Sequence, residues 1–210
     1  MTQGVVETPR CRRVVLFGGQ GSQSLFSPAS AKIVEDTTKD LAETAIFVSK
    51  CHSAFLEELS TVEFIDGQNF LINPAHFSNS RELIDPPRQY HSNAIIQSTT
   101  LCLYQLLHYL AEKESIDTSS TLTVDGVLEV AGFCSGMIPA VVVAASESKK
   151  DFIDFGVQAF RLSFWIGYRT AAHSLTIAGP EVAHRSWSLV ISGLSRSQVQ
   201  EQLDELISEV

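Results

Sequence analysis

The stretch VDGVLEVAGFCSGMIPAVVVAA, positions 124–145, decides how the rest of the chain is read. Positions 124–131 read as a strand, with a sharp glycine-flanked turn after it. Positions 137–147 predict a helix, and Pro139 is tolerated there only if the helix has just begun. Between them lies Gly132-Phe133-Cys134-Ser135-Gly136. A cysteine on a sharp strand-to-helix turn, with glycines two positions before and after it, fits the geometry of an exposed nucleophile. The glycines remove side chains that would clash and permit unusual backbone angles. The free N–H groups at the start of the helix favour an anionic sulfur. A structural cysteine buried in a glycine-bounded turn is the competing reading of these five residues.

Upstream, RVVLF at 13–17 reads as a short buried strand, followed at once by GGQGSQ at 18–23. A phosphate-binding loop does not fit, since GxxxxGK[ST] is absent and no third glycine completes GxGxxG. A generic glycine-rich turn stays open. Positions 29–59 carry apolar residues at helical spacing, whereas 61–92, with Gly67, Asn73–Pro74, Pro86 and Pro87, predict irregular chain with short pieces. Positions 94–112 give the clearest helix. Ile95, Thr99, Cys102, Leu106 and Tyr109 share a face, and Leu103, Leu107 and Leu110 widen it, as in a buried helix. Downstream, 151–172 predicts a helix, 187–192 a strand and 196–208 an amphipathic helix. This order predicts an α/β fold with a largely parallel sheet.

The composition fits a globular chain: 210 residues, 44% hydrophobic and 19% charged. A formal net charge of −9 disfavours a nucleic-acid partner. The cluster Arg10, Arg12 and Arg13 reads as a solvated edge. The first apolar run is too short for a signal peptide, and the richest apolar stretch too short for a membrane span. The four cysteines, at 11, 51, 102 and 134, form no CxxC pair. They read as reduced thiols of a cytoplasmic protein, with Cys11, Cys51 and Cys102 as packing residues. No metal-ligand spacing is present, so neither a metal nor a resident cofactor is expected.

VVLFGGQGSQ at 14–23, together with the GxCxG turn, resembles the acyl carrier protein transacylase family, whose members carry FPGQGSQ at the first strand and GHSxGE at the elbow. NAIIQSTTLCLYQLLHYL (93–110) is similar to the family's glutamine-bearing helix ahead of the elbow. DFIDFGVQAFRLSFWIGYR (151–169) is similar to the helices after it, with Arg161 on the family's arginine. WSLVISGLSRSQVQEQL (187–203) resembles the opening of a small ferredoxin-like subdomain. The usual serine, histidine and glutamate of the elbow are here Cys134, Phe133 and Met137. That pattern resembles the starter-unit acyl carrier protein transacylase domains of fungal non-reducing polyketide synthases.

The resemblance implies an α/β-hydrolase-like core over 1–183 and the beginning of an incomplete ferredoxin-like subdomain over 184–210. It implies transfer of a starter acyl group from acyl-CoA, or from an upstream fatty acid or polyketide synthase, to an acyl carrier protein. Cys134 would be the nucleophile. The backbone N–H groups of Gln20 and Ser135 would form the oxyanion hole. Gly19, Gly21, Phe133 and Arg161 would adjoin the substrate. In malonyl-specific relatives the arginine grips a carboxylate; a neutral starter would leave Arg161 a structural role. The family's catalytic histidine lies beyond the small subdomain. None of His52, His76, His91, His108, His173 and His184 sits in a matching motif, so a truncated domain is expected, with His108 packed in its helix. A malonyl-type transacylase, a non-catalytic remnant that docks partners, and a thiol hydrolase are the alternatives.

Overall fold

The structure, a computed structural model, describes residues 13–19, 32, 36, 42–66, 72–116, 128–182, 195, 197–198, 200–201 and 204. It divides into two compact units, Met1–His173 and Ser174–Val210. In the first unit, strand β1 (Arg13–Phe17) pairs in parallel with β2 (Leu128–Gly132), register Arg13↔Leu128 to Phe17↔Gly132. The helices are α1 (Ala42–Asp66), the short α2 (Arg81–Ile84), α3 (Ala94–Ile116), α4 (Met137–Ala145) and α5 (Lys149–Val182). The described part is therefore mostly helical around a small parallel sheet, compatible with an α/β class. In the second unit the described positions 197, 198, 200, 201 and 204 are helical, as the pattern over 196–208 predicts, and 187–192 lies outside the described residues.

Local sequence explains where the helices start. Asn93 caps α3: its Oδ1 accepts the N–H groups of Ile95 at 2.9 Å and Ile96 at 3.3 Å. Ser148 does the same for α5, accepting Asp151 N–H at 3.1 Å while its hydroxyl donates to the Asp151 carboxylate at 2.7 Å. Between α1 and α3, Asn73 caps the single turn Pro74–Phe77 by accepting Ala75 N–H at 3.0 Å. Pro86 and Pro87 hold the following chain to one further short turn, Arg88–Tyr90. The expected irregular segment is thus a series of short turns, although helix α1 runs on to Asp66 before it begins.

The core lies between α1, α3 and α5. Phe47, Phe55, Phe77, Phe152, Phe160, Phe164, Ile95, Leu103 and Leu106 are buried there. Phe55 meets Phe77 at 4.9 Å and, edge on, Phe164 at 5.8 Å, which joins α1 to the turn Pro74–Phe77 and to α5. A second aromatic run, Phe17–Tyr109–Phe152–Phe47, carries the packing out to β1. Helices α5 and α3 cross backbone to backbone at Gly167, where a Cβ would lie 2.5 Å from the Ala94 carbonyl oxygen.

Helices α1 and α5 run in the same direction, since Glu43 pairs with Lys149, Lys50 with Asp154, and Glu57 and Glu58 with Arg161. Each step along one helix matches a step along the other.

One expectation is corrected. RVVLF reads as a buried strand, yet Val14 and Leu16 are 62% and 72% exposed while Phe17 is buried. Side chains alternate across a strand. Phe17 and the partly buried Val15 and Val130 pack on the helical core, whereas Val14, Leu16, Glu129 and Ala131 line an exposed face. No helix among the described residues is long and apolar enough to cross a membrane.

Candidate active site

Strand β2 ends at Gly132, and α4 begins at Met137. The four residues between must turn the chain sharply. Gly136 N–H donates to the Phe133 carbonyl at 3.0 Å, and Met137 N–H donates back to the Cys134 carbonyl, closing the single helical turn Cys134–Gly136. Cys134 adopts φ +55°, the one positive φ of a non-glycine residue among the described residues. For an L-residue that conformation costs about 1–2 kcal/mol and persists only where the surroundings impose it.

The surroundings do impose it. A Cβ on Gly132 would lie 2.3 Å from the Gly136 carbonyl oxygen, so the two ends of the turn touch. A Cβ on Gly136 would lie 2.3 Å from the Phe17 carbonyl oxygen and 2.6 Å from that of Gly18, so the turn is seated on the end of β1. Phe133 N–H donates to the Phe17 carbonyl at 2.9 Å, extending the parallel ladder one residue past the end of β2. A Cβ on Gly19 would come within 2.9 Å of the Cys134 Cβ and 3.1 Å of the Phe133 carbonyl oxygen. The start of the glycine-rich loop and the cysteine turn, far apart in sequence, are in direct contact.

Cys134 is exposed. Beside it, Phe133, Met137 and Val141 are 74%, 59% and 65% exposed. Met137 and Val141, four residues apart on α4, share one face of that helix, and Phe133 precedes the turn in extended backbone. The Ser135 hydroxyl is buried without a hydrogen-bond partner. Gln20 and Gly21 lie outside the described residues. The other described thiols, on Cys51 and Cys102, are buried in the core. Burial pushes Cys102 up to about 11 and Cys51 well above its ordinary range, so both stay protonated and inert at neutral pH.

Arg161 is engaged elsewhere. Its guanidinium donates to the carboxylates of Glu57 and Glu58 on α1, and Trp165 Nε1–H donates to Glu58 at 2.9 Å. Those bonds raise its pKa further, so it carries a fixed charge. The groove it lines, with Lys50 and Asp154, shares no residue with the cysteine turn.

Three histidines belong to the segment between α1 and α3 or pack on it. His52 and His91 bond the carbonyls of Phe77 and Pro86, and His76 bonds the Tyr90 hydroxyl at 2.7 Å. His108, half-buried, lines a cavity of about 370 Å³ with Phe17, Gly18, Gln105, Tyr109 and Glu112. His173 is exposed, and His184 lies outside the described residues. No group of histidine, cysteine and carboxylate side chains suited to a metal occurs among the described residues.

One residue in contact with this region lies on the helix that the resemblance marks as glutamine-bearing, but had no role assigned from sequence. Gln105, on α3, donates its Nε2–H to the Gly18 carbonyl at 2.6 Å. A lone amide inside LCLYQLLHYL was the signal that could have found it.

A family model described as "Starter unit:ACP transacylase in aflatoxin biosynthesis", ACP being acyl carrier protein, matches residues 15–210. The chain is 34% identical over 193 residues to an orsellinic acid synthase of Armillaria mellea, covering 87% of this chain and 9% of that protein. It is 31% identical over 209 residues to an orsellinic acid synthase of Armillaria ostoyae, covering 92% of this chain and 9% of that protein. A non-reducing polyketide synthase of Pseudevernia furfuracea is 27% identical over 195 residues, or 92% of this chain and 9% of that protein. The chain thus spans less than a tenth of the length of these relatives. With the family's span covering both the β1 loop and the cysteine turn that touches it, the chain belongs to the starter unit:ACP transacylase family.

Proposed function

We propose that this chain loads a neutral starter acyl group onto an acyl carrier protein of a non-reducing polyketide synthase, through an acyl-enzyme on Cys134. The observation that carries the reading is the exposed Cys134, held at positive φ with Gly19 of the opening loop against it. The Cys134 sulfur forms a C–S bond to the acyl carbonyl carbon. The thioester's own C–S bond breaks, and the leaving thiolate takes up the proton that Cys134 gives up. In the second half the carrier's phosphopantetheine thiol attacks the acyl-enzyme and restores the cysteine. No resident cofactor is needed; acyl-CoA or an acyl thioester of an upstream synthase is the substrate. The developing oxyanion is held by the backbone N–H groups of Gln20 and Ser135, each worth about 3 kcal/mol in the barrier.

Two features favour a neutral acyl group over a dicarboxylic one. Arg161, on the position that grips a carboxylate in malonyl-specific relatives, is occupied by Glu57 and Glu58. The exposed side chains that flank Cys134 in the chain and on the following helix, Phe133, Met137 and Val141, are apolar. The same reading gives an α/β-hydrolase-like core followed by a small ferredoxin-like subdomain, working in the cytoplasm, where its thiols stay reduced.

The test is incubation of the 210-residue chain with acetyl-, hexanoyl- and malonyl-CoA, followed by intact-mass and peptide analysis. Acetyl or hexanoyl on the Cys134 peptide, absent from Cys134→Ala, is the expected result. Loading of malonyl in preference to both would move the protein to the malonyl type. No acyl label with any donor would sink the reading.

A further inference from the structure

We infer that Gln105 is a positioning residue for acyl transfer: from α3 it fixes the Gly18–Gly19 peptide against the cysteine turn. The inference rests on the acyl-transfer reading of Cys134. It starts from a mismatch. Gln105 stands among Leu101, Tyr104 and Tyr109, on a helix whose inner positions are apolar. Its Nε2–H donates to the Gly18 carbonyl at 2.6 Å, while its Oε1 is buried and has no hydrogen-bond partner. A buried acceptor left unmatched is unfavourable, and a leucine of similar size would avoid that. The amide is therefore poorly explained by stability and well explained by its one donated bond.

That bond acts on a peptide that adjoins the cysteine turn. The Gly18 carbonyl belongs to the same planar unit as the Gly19 N–H, so fixing one sets the other. Gly19 touches the Cβ of Cys134, and the next peptide carries the N–H of Gln20. On its other side the Gly18 carbonyl abuts Gly136, where a Cβ would be 2.6 Å away. Gln105 thus presses the loop onto the turn from the helix side. Without that donor β1 keeps the Phe133 N–H bond to the Phe17 carbonyl, and the Gly18 carbonyl loses its bond to α3.

The experiment compares the full chain with Gln105→Leu and Gln105→Glu. Leucine removes the donor and the unmatched acceptor together; an ionised glutamate puts an acceptor against the Gly18 carbonyl. Two rates are measured on Cys134: acylation by hexanoyl-CoA, which needs oxyanion stabilisation, and alkylation by iodoacetamide, which does not. We expect acylation to fall about tenfold or more in both variants. Alkylation should stay within about twofold and Gln105→Leu should melt no lower than the parent, a split that a merely structural residue would not give. Parent-like acylation in folded Gln105→Leu overturns the inference, as does a parallel fall of both rates. If Gln105→Glu does not fold, Gln105→Leu alone decides. A parent chain that takes no acyl group sinks the acyl-transfer reading itself, and that outcome is read before any variant is compared.

Discussion

At the scale of the residue, the site depends on a side chain held where its backbone does not favour it. Cys134 sits at φ +55°, and the glycines around it leave no room for relaxation. Two substitutions separate the sulfur from the strain. Cys134→Ala and Cys134→Gly both remove the nucleophile and should both abolish acyl labelling. They should differ in stability. Alanine keeps the unfavourable backbone angle, whereas glycine relieves it at the smaller expense of a more disordered unfolded chain. Cys134→Gly should therefore be the more stable of the two by about 0.5–1 kcal/mol in urea unfolding. Equal midpoints would mean that the turn relaxes once the thiol is gone. Gly136→Ala acts at the same place by a different mechanism. Its Cβ would meet the Phe17 carbonyl oxygen at 2.3 Å, a main-chain atom rather than the flexible end of a side chain. A loss of about 2–3 kcal/mol is expected, at the upper end for overpacking. A variant that unfolds at the parent's urea midpoint would show that β1 and the turn separate easily.

At the scale of the element, helices α1 and α5 are joined by aromatic packing inside and ion pairs outside, and Arg161 is where the two meet. Glu58 is the more enclosed partner, its side chain 13% exposed, and it also receives the Trp165 indole N–H. Glu57, 65% exposed, adds little. Arg161→Ala leaves the Glu58 carboxylate with the indole alone, so a loss of about 1–2 kcal/mol is expected by thermal or urea unfolding. Loading of a neutral acyl group should continue. If Arg161→Ala stays folded and loses acetyl or hexanoyl transfer, the arginine serves the substrate after all. This pair also marks what sequence can convey. The helix over 94–112 was legible because its apolar residues repeat on the helical period, and its Asn93 cap lies next door. The cysteine turn was legible because its glycines flank it at fixed offsets and Pro139 dates the start of the helix. Contacts between distant residues leave no such trace. Nothing local in Glu57 or Glu58 announces Arg161, and one amide on an apolar helix has no period of its own. RVVLF misled for a related reason. A continuous apolar run records that each residue tolerates burial, not that a covering layer lies on both faces.

At the scale of the whole molecule, the described thiols divide into one that meets solvent and two that do not, and the division has a pH signature. In the folded chain, iodoacetamide at about pH 8 should modify Cys134 and spare Cys51 and Cys102, as read by peptide mapping. The same burial governs alkaline stability. Desolvation lifts Cys102 from 9.0 to about 11 and Tyr104 from 10.0 to about 12, and lifts Cys51 well above its ordinary value. The folded-state value is raised in each case, so the unfolded chain releases these protons first. Their contribution is complete below about pH 9 and drains away as pH climbs toward the folded-state values, by up to about 1.4 kcal/mol per pH unit for each group. Urea midpoints should hold steady up to about pH 9 and then fall. Cys51→Ala and Cys102→Ala start lower because each opens a small cavity, and that offset is independent of pH. What they should change is the slope, which flattens between about pH 9.5 and 10.5 as each thiol is removed. If both variants keep the parent's slope, the buried thiols are not what the alkaline chain ionises, and the core around α1 and α3 admits water more freely than its packing implies.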